Sequence, residues 1–397
     1  MATPQTDRLI SIDALRGIAV LGILMMNVQG FAMLPMAYEN PTLQMDLTGG
    51  NLTAWAFAHT FFAFKFITIF STLFGAGIVM MAGTGESTGL HNPRMRWLLL
   101  IGLIHAYIFW WGDILVSYAL IGIIAVKARR MPPAKLAIWG LVLIAVSGVL
   151  MVGSAYLGVA LEGLGGDASQ QEEMMAGMME SWTAAYQAGF LNHIGWNAIF
   201  AFIGQLMGLI MLGPRTLGLM FIGMALYKSG FLSASWSHVR YAAIAAIGLV
   251  AGIGLSNAST NIMIAGEFGT AAMADGNALI YVGSLLQALG YAATIMLLAK
   301  LAPMHLLLAP FAAAGRMAFT NYLTQTLIMT FIFVGMPGLG LFGQVERIDQ
   351  VKLVLAVWAV QLIWSMLWMS AFRFGPFEWL WRTLTYGEKQ PMRKAAA

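Results

Sequence analysis

His105 is the residue best placed to do chemistry, because it stands in the middle of an apolar run. It follows the Arg94/Arg96 pair by about ten residues, or about 15 Å of helix, which puts it close to the middle of a bilayer. A neutral imidazole there can act as base, nucleophile or proton relay, and a nearby carboxylate readily moves its pKa. Asp113 comes eight residues later, beside Gly112, where the chain must turn back. It can orient the imidazole or cap the next helix. His105 can equally be a structural group bonded across helices.

Other polar residues fall inside apolar runs, where they are costly and therefore informative. Asp13, Arg16, Val20, Ile23 and Asn27 share one helix face, with the charged pair at one end and Asn27 carried to mid-membrane. That face suits a ligand, or a salt-bridged anchor with one interhelical amide. Lys65 lies inside the run 53–83, which is longer than one crossing needs, so it sits at a kink or snorkels outward. His59, on a different face, then falls near the outer interface. Arg316, Thr320, Asn321, Thr324 and Gln325 draw a polar stripe along the run 317–336, which must face a protein interior or a wet cavity. Gln205 and Arg215 could extend that cavity, though a lone Gln also serves as interhelical glue.

The elements that position these residues are membrane helices. Hydrophobic residues make up 59% of the 397 and charged ones only 10%, too few to cover a water-facing surface. No Lys or Arg occurs over 17–64, 136–214 or 241–299, and each stretch holds two apolar runs flanking an acidic loop, the pattern of a translocated hairpin. Apolar runs near 17–36, 53–83, 95–111, 114–131, 135–160, 196–213, 241–257, 277–299, 317–336 and 350–372 predict an all-α, polytopic bundle of about ten crossings, or eleven if 216–227 also crosses. That short run, after Gly213 and Pro214, instead suits a re-entrant or half helix. Arg8, Arg16, Arg94, Arg96 and the cluster from Lys127 to Lys135 put both termini in the cytoplasm, with residues 1–397 forming one integral membrane domain.

Two amphipathic segments stand apart. Over 161–195, an extracytoplasmic loop, Met174, Met175, Met178 and Met179 make one helix face opposite Glu172, Glu173 and Glu180. Thioether copper binding is conceivable there, but a helix on the membrane or over the outer mouth fits better, since no His has matching spacing. Over 375–387, Phe377, Leu380, Trp381 and Leu384 share a face, with Glu378 and Arg382 paired opposite, as in an interfacial helix stopped at Gly387.

Several classes drop out. The chain has no cysteine, which removes disulfides and thiolate chemistry. It has no Walker loop, no nucleotide-binding GxGxxG, no HExxH and no convincing metal-ligand set, and Gly75–Gly77 reads as helix packing. The net charge of +4 is accounted for by cytoplasmic anchors, so no nucleic-acid partner is expected. Secretory cleavage is not expected either, because the first run is preceded by Arg8, Asp13 and Arg16 and lacks a small-x-small site.

Three segments carry a family resemblance: Arg8 to Gly22, with Asp13-x-x-Arg16-Gly17; Lys65 to Gly75; and His105 to Ala119, containing Trp110-Trp111-Gly112-Asp113 and Tyr118. They resemble the YeiB-like bacterial membrane proteins. Gly315-Arg316-Met-Ala-Phe-Thr320-Asn321-Tyr322 and the segment Gly375 to Gly387 resemble that family's C-terminal domain of unknown function. Through the Asp-x-x-Arg-Gly motif the family is itself similar to multi-spanning acyltransferases, including heparan-alpha-glucosaminide N-acetyltransferase and periplasmic-glucan succinyltransferases. The acetyltransferase's His-rich motif is not reproduced, and His59 matches it only loosely.

The resemblance implies a bacterial inner-membrane protein that moves an acyl group from cytoplasmic acyl-CoA to an extracytoplasmic hydroxyl or amine, without a metal. Arg16, Arg94, Arg96 and Arg316 would meet the CoA phosphates, with Asp13, Asn27, Lys65, Thr320, Asn321, Tyr322 and Gln325 lining the substrate path. His105 would act with Asp113 as the catalytic pair. Membrane lipids are the other expected partners, and a homodimer is an assembly open to the chain. The rival class is a small-molecule transporter, for which the half helix and a wet stripe would form the pathway; no inverted repeat supports it. A non-catalytic membrane partner is the third.

Overall fold

The computed structural model describes residues 10–83, 85, 88–162 and 168–394, except the side chains of 168–172; Arg8 and Glu172 fall outside that description. α1 (Ile10–Ala32) is followed by the short α2 (Pro35–Glu39), then α3 (Gly49–Phe61) and α4 (Lys65–Ala82). α5 (His91–Ile104) ends in a π-helical turn, His105–Phe109, and α6 (Leu115–Ala125) returns. α7 (Pro133–Leu161), α8 (Ala168–Ala188), α9 (Phe190–Met211) and α10 (Gly213–Lys228) come next. α11 (His238–Ala265) and α12 (Thr270–Ala299) form a long hairpin, and α13 (His305–Arg316), α14 (Ala318–Phe333), α15 (Arg347–Ala371) and α16 (Pro376–Tyr386) complete the chain.

Among the described residues, seven stretches are long and apolar enough to cross a membrane: α1, the pair α3–α4, α7, α9, α11, α12 and α15. The expected crossings near 95–111, 114–131 and 317–336 are the shorter α5, α6 and α14. Burial sorts the bundle into centre and rim. The most apolar window of α1 is 67% buried, against 22% for α7 and 17% for α9, so α1 is the central post and the other two turn their apolar sides to lipid. Glycine lets backbones meet: a Cβ on Gly17 would lie 1.9 Å from the Phe311 carbonyl oxygen, and one on Gly315 1.8 Å from that of Asp13, which locks α13 to the start of α1.

The start of α1 and the helix α16 lie on one face. Ser11 bonds the Leu232 carbonyl, Lys300 that of Ala234, Lys228 those of Arg129 and Met131, and Trp381 that of Arg94. This is the basic face that the charge pattern anticipates. At the opposite face Arg347 donates to Gln29 and the Pro41 carbonyl, and Gln187 to the Phe342 carbonyl. α8 covers that face, with Met179 of the methionine face packed against the Trp182 cluster. Trp182 is buried and stacks 3.9 Å from Phe200, while Met174 and Met175 stay exposed.

Two crossings are broken. α3 and α4 meet at Phe62–Phe64, with Phe64 at φ 62°, a left-handed conformation rare for a bulky residue. α9 stops at Met211, whose carbonyl takes the Ser147 hydroxyl, and α10 starts at Gly213 and descends antiparallel to α7, Gly218 against Gly140 and Ile144. α10 is therefore the expected half helix, continuing α9 to the basic face. Arg215, expected at that face, is instead 3% exposed in the middle of the bundle.

Candidate functional site

The π-helical turn explains how a helix delivers His105 to the core. The Trp110 N–H donates to the His105 carbonyl at 2.9 Å, closing an i to i+5 ring, and such one-turn bulges re-aim side chains. Neighbouring helices hold the turn: Asn197 donates to the Ala106 carbonyl (2.9 Å), Gln205 to that of Asp113 (3.1 Å), and the Trp110 indole to that of Gly30 (3.2 Å).

Asp113 fills both roles open to it, one oxygen for each. Oδ2 accepts the Val116 N–H at 2.8 Å and caps α6, while Oδ1 lies 2.7 Å from His105 Nδ1. On the far side of the ring, His105 Nε2 lies 2.9 Å from the hydroxyl of Thr326 on α14. A carboxylate can only accept, so Nδ1 carries a hydrogen; in the neutral imidazole Nε2 then accepts the Thr326 O–H, whose other acceptor within reach is the Tyr322 carbonyl at 3.5 Å. The order hydroxyl, imidazole, carboxylate is that of an activated nucleophile, its base and the base's orienter. Tyr322, one turn before Thr326, lays its ring 5.3 Å from the imidazole. All four side chains are buried.

A second cluster forms on the basic face. Arg16 pairs with Asp13 at 2.9 Å, Arg94 sits 3.8 Å over the Trp381 ring, and Arg16, Glu378 and Arg382 are within its electrostatic reach. Glu378 caps α14: it accepts the N–H groups of Phe319 (2.7 Å) and Thr320 (3.1 Å) and the Thr320 hydroxyl. Desolvation raises its carboxyl above the ordinary 4.5, against the opposing pull of those hydrogen bonds. Arg316 ends α13, half-buried, and Arg96 is exposed. From Thr320 to Thr326 is a rise of about 9 Å along α14, so the two clusters are joined by less than two turns of one helix.

The remaining candidates disperse. Asn321 donates to Ser365 and the Ala314 carbonyl, while Gln361 donates to the Asn321 carbonyl and accepts from Gln325. The polar stripe is thus interhelical glue between α14 and α15, facing protein and not a wet cavity. Gln205 is glue too, bonded to Ser117 and Asp113. Asn27 is half-buried on α1. Lys65 does not snorkel: it is fully buried and donates to the His59 carbonyl at the α3–α4 break (2.8 Å). His59 is buried as well and bonds Thr260. Thr326 was not singled out by the sequence, although it follows Tyr322 by four residues and so shares its face.

Comparison with known proteins places this architecture. A family model described as a protein of unknown function, DUF418, matches residues 226–388. The uncharacterised protein YeiB of Escherichia coli is 33% identical over 393 residues, covering 96% of each chain. The chain belongs to the YeiB-like DUF418 family. Its similarity to the uncharacterised protein YxaH of Bacillus subtilis is 31% over 414 residues, 99% of this chain and 98% of that one. An uncharacterised 39.9 kDa protein encoded beside an amylase in Bacillus acidopullulyticus is 25% identical over 391 residues. The chain is thus a multi-spanning membrane protein of this family. The DUF418 match holds Tyr322, Thr326 and Glu378 but stops short of His105 and Asp113, so the relay joins two parts of the chain.

Proposed function

We propose that the protein is an acyltransferase of the bacterial inner membrane, with its basic face and both termini cytoplasmic, that takes an acyl group from acyl-CoA. The Thr326–His105–Asp113 relay carries this reading. A thioester is already activated, so the protein need only supply a nucleophile, a base and a polar cradle. CoA phosphates suit the basic face, where Arg16 and Arg382 are within electrostatic reach of Arg94, with Arg96 and Arg316 as further candidates. His105 Nε2 takes the Thr326 proton as the hydroxyl oxygen attacks the thioester carbon; the C–S bond breaks and the CoA thiolate leaves with that proton. An extracytoplasmic hydroxyl or amine then attacks the new ester, its proton passes through His105 back to Thr326, and the acyl group leaves on the acceptor. The relay is enclosed, so the acyl end must part the packing around Tyr322 to reach it.

Purified protein incubated with labelled acetyl-CoA should bind it, and should carry the label on the Thr326 peptide after quenching. His105→Ala and Thr326→Ala should abolish the label, and Arg316→Ala should weaken acetyl-CoA binding. Absence of binding and of labelling defeats the proposal. The broken α9–α10 crossing favours a second reading, small-molecule transport, which predicts solute uptake in proteoliposomes without acyl-CoA.

A further inference from the structure

Two cations lie at the centre of the bundle without an ion-pair partner among the described residues. Lys65 is 0% exposed and Arg215 3% exposed. Three elements independently fix their depth. Lys65 is at the midpoint of the Gly49–Ala82 span, and Arg215 Nη2 donates to Thr68 (3.0 Å), on the same first turn of α4, and to Ser284 (2.9 Å), midway along α12. The two cations are within electrostatic range of each other.

What surrounds them does not cancel their charge. Thr68 and Ser284 direct their own hydroxyl hydrogens to the carbonyls of Phe64 and Tyr281, so they offer Arg215 only neutral lone pairs. Lys65 has a single acceptor, the His59 carbonyl in the last turn of α3, where the helix end carries a partial negative charge. The Arg215 guanidinium lies 4.4 Å over the Tyr281 ring and 5.2 Å from that of Phe64, and its Nη1 has no hydrogen-bond partner. The backbone does not settle the balance: α4 begins at Lys65 and α10 at Gly213, but α3 ends at Phe61 and α9 at Met211, so each positive helix start adjoins the negative end of the helix before it. Positive charge buried in hydrocarbon is costly unless a lysine sheds its proton or something supplies the opposite sign, and an arginine has only the second course.

We propose that Lys65 and Arg215 form a mid-membrane binding site for a small anion of carboxylate type. The free Nη1 and the remaining ammonium hydrogens of Lys65 are the donors, and a planar carboxylate fits the guanidinium edge. The depth excludes a phospholipid headgroup, which stays at the interface. This site does not depend on the acyl-transfer reading.

The test is thermal unfolding of the purified protein in detergent, titrated with sodium acetate against sodium gluconate at constant ionic strength and pH. Ligand linkage predicts a saturable rise in Tm with acetate that the bulkier gluconate does not give. Arg215→Gln and Lys65→Met should each lose that rise, whereas Gly77→Ala, whose Cβ meets nothing within 4 Å, should keep it. If Arg215→Gln does not fold, Lys65→Met decides. Equal response to acetate and gluconate overturns the proposal, as does an acetate response surviving in both charge variants. So does a response confined to inorganic phosphate or to phosphatidic acid vesicles.

Discussion

Gly75 and Gly77 stand two residues apart on α4, yet alanine should act on them in opposite directions. A Cβ on Gly75 would lie 2.0 Å from the Met220 carbonyl oxygen and 2.5 Å from its Cα, whereas one on Gly77 meets nothing within 4 Å. Both substitutions gain the same helix propensity, about 0.8–1 kcal/mol in water, so that contribution cancels in their difference. What remains is overpacking. Restoring ordinary contact requires α4 and α10 to separate by about 1.4 Å locally, since the opposing atoms are backbone and cannot rotate away. Overpacking of this kind costs about 1–3 kcal/mol, and a backbone obstacle places it toward the upper end. Gly223→Ala is the reciprocal probe, its Cβ falling 1.8 Å from the Thr72 carbonyl oxygen. Reversible unfolding in mixed micelles, followed by tryptophan fluorescence, should rank Gly77→Ala above wild type and Gly75→Ala and Gly223→Ala below it. If Gly75→Ala and Gly77→Ala agree within about 0.5 kcal/mol, the α4–α10 contact is not close-packed and the reasoning fails.

Asp113→Asn should lower acyl transfer by about a hundredfold or more, because an amide hydrogen directed at Nδ1 reverses the imidazole tautomer; unchanged transfer, or unchanged ¹⁵N shifts for His105, refutes the assignment. Thr326→Ala should cost about 1–3 kcal/mol by leaving Nε2 buried without a donor, while Thr326→Ser should restore most of it in the same unfolding assay. Glu378 has its carboxyl raised in the folded protein by desolvation. Its stabilisation is therefore complete below the unfolded value and is lost as pH rises through the folded one. Wild type should lose stability relative to Glu378→Gln as pH rises above the ordinary carboxyl value of 4.5, and a pH-independent difference counts against it.

The bundle was legible in the sequence because charge and hydrophobicity act one residue at a time: a base-free apolar run implies a crossing whatever it packs against. The half helix after Gly213-Pro214 was legible for the same reason, its length and break being local. Arg215 was misplaced because the positive-inside rule assigns bases to a face by sequence position, and no local signal tells that Thr68 and Ser284 wait at mid-depth to receive this one. His105 and Asp113 were paired by spacing on one hairpin. Thr326 is 221 residues from His105, and its selection depends on the rotation of α14 about its axis, which α15 sets through Gln361 and Ser365.

Interhelical geometry also separates two kinds of buried polar residue that look alike in the sequence. Asn321, Gln325 and Gln361 bond one another or backbone carbonyls, and neutral amides of this kind can be held by helix packing alone. Lys65 and Arg215 cannot be held in this way, since hydroxyls and carbonyls satisfy hydrogen bonds without removing charge. Their position follows from glycine: Gly75 and Gly223 let α10 approach α4 at backbone contact, which brings the start of α10 beside the start of α4. A substitution that parts these helices should therefore weaken acetate binding together with stability, so Gly223→Ala should blunt the acetate response although it touches neither cation. Retention of the full response in Gly223→Ala would mean that the cations find their depth without the helix contact.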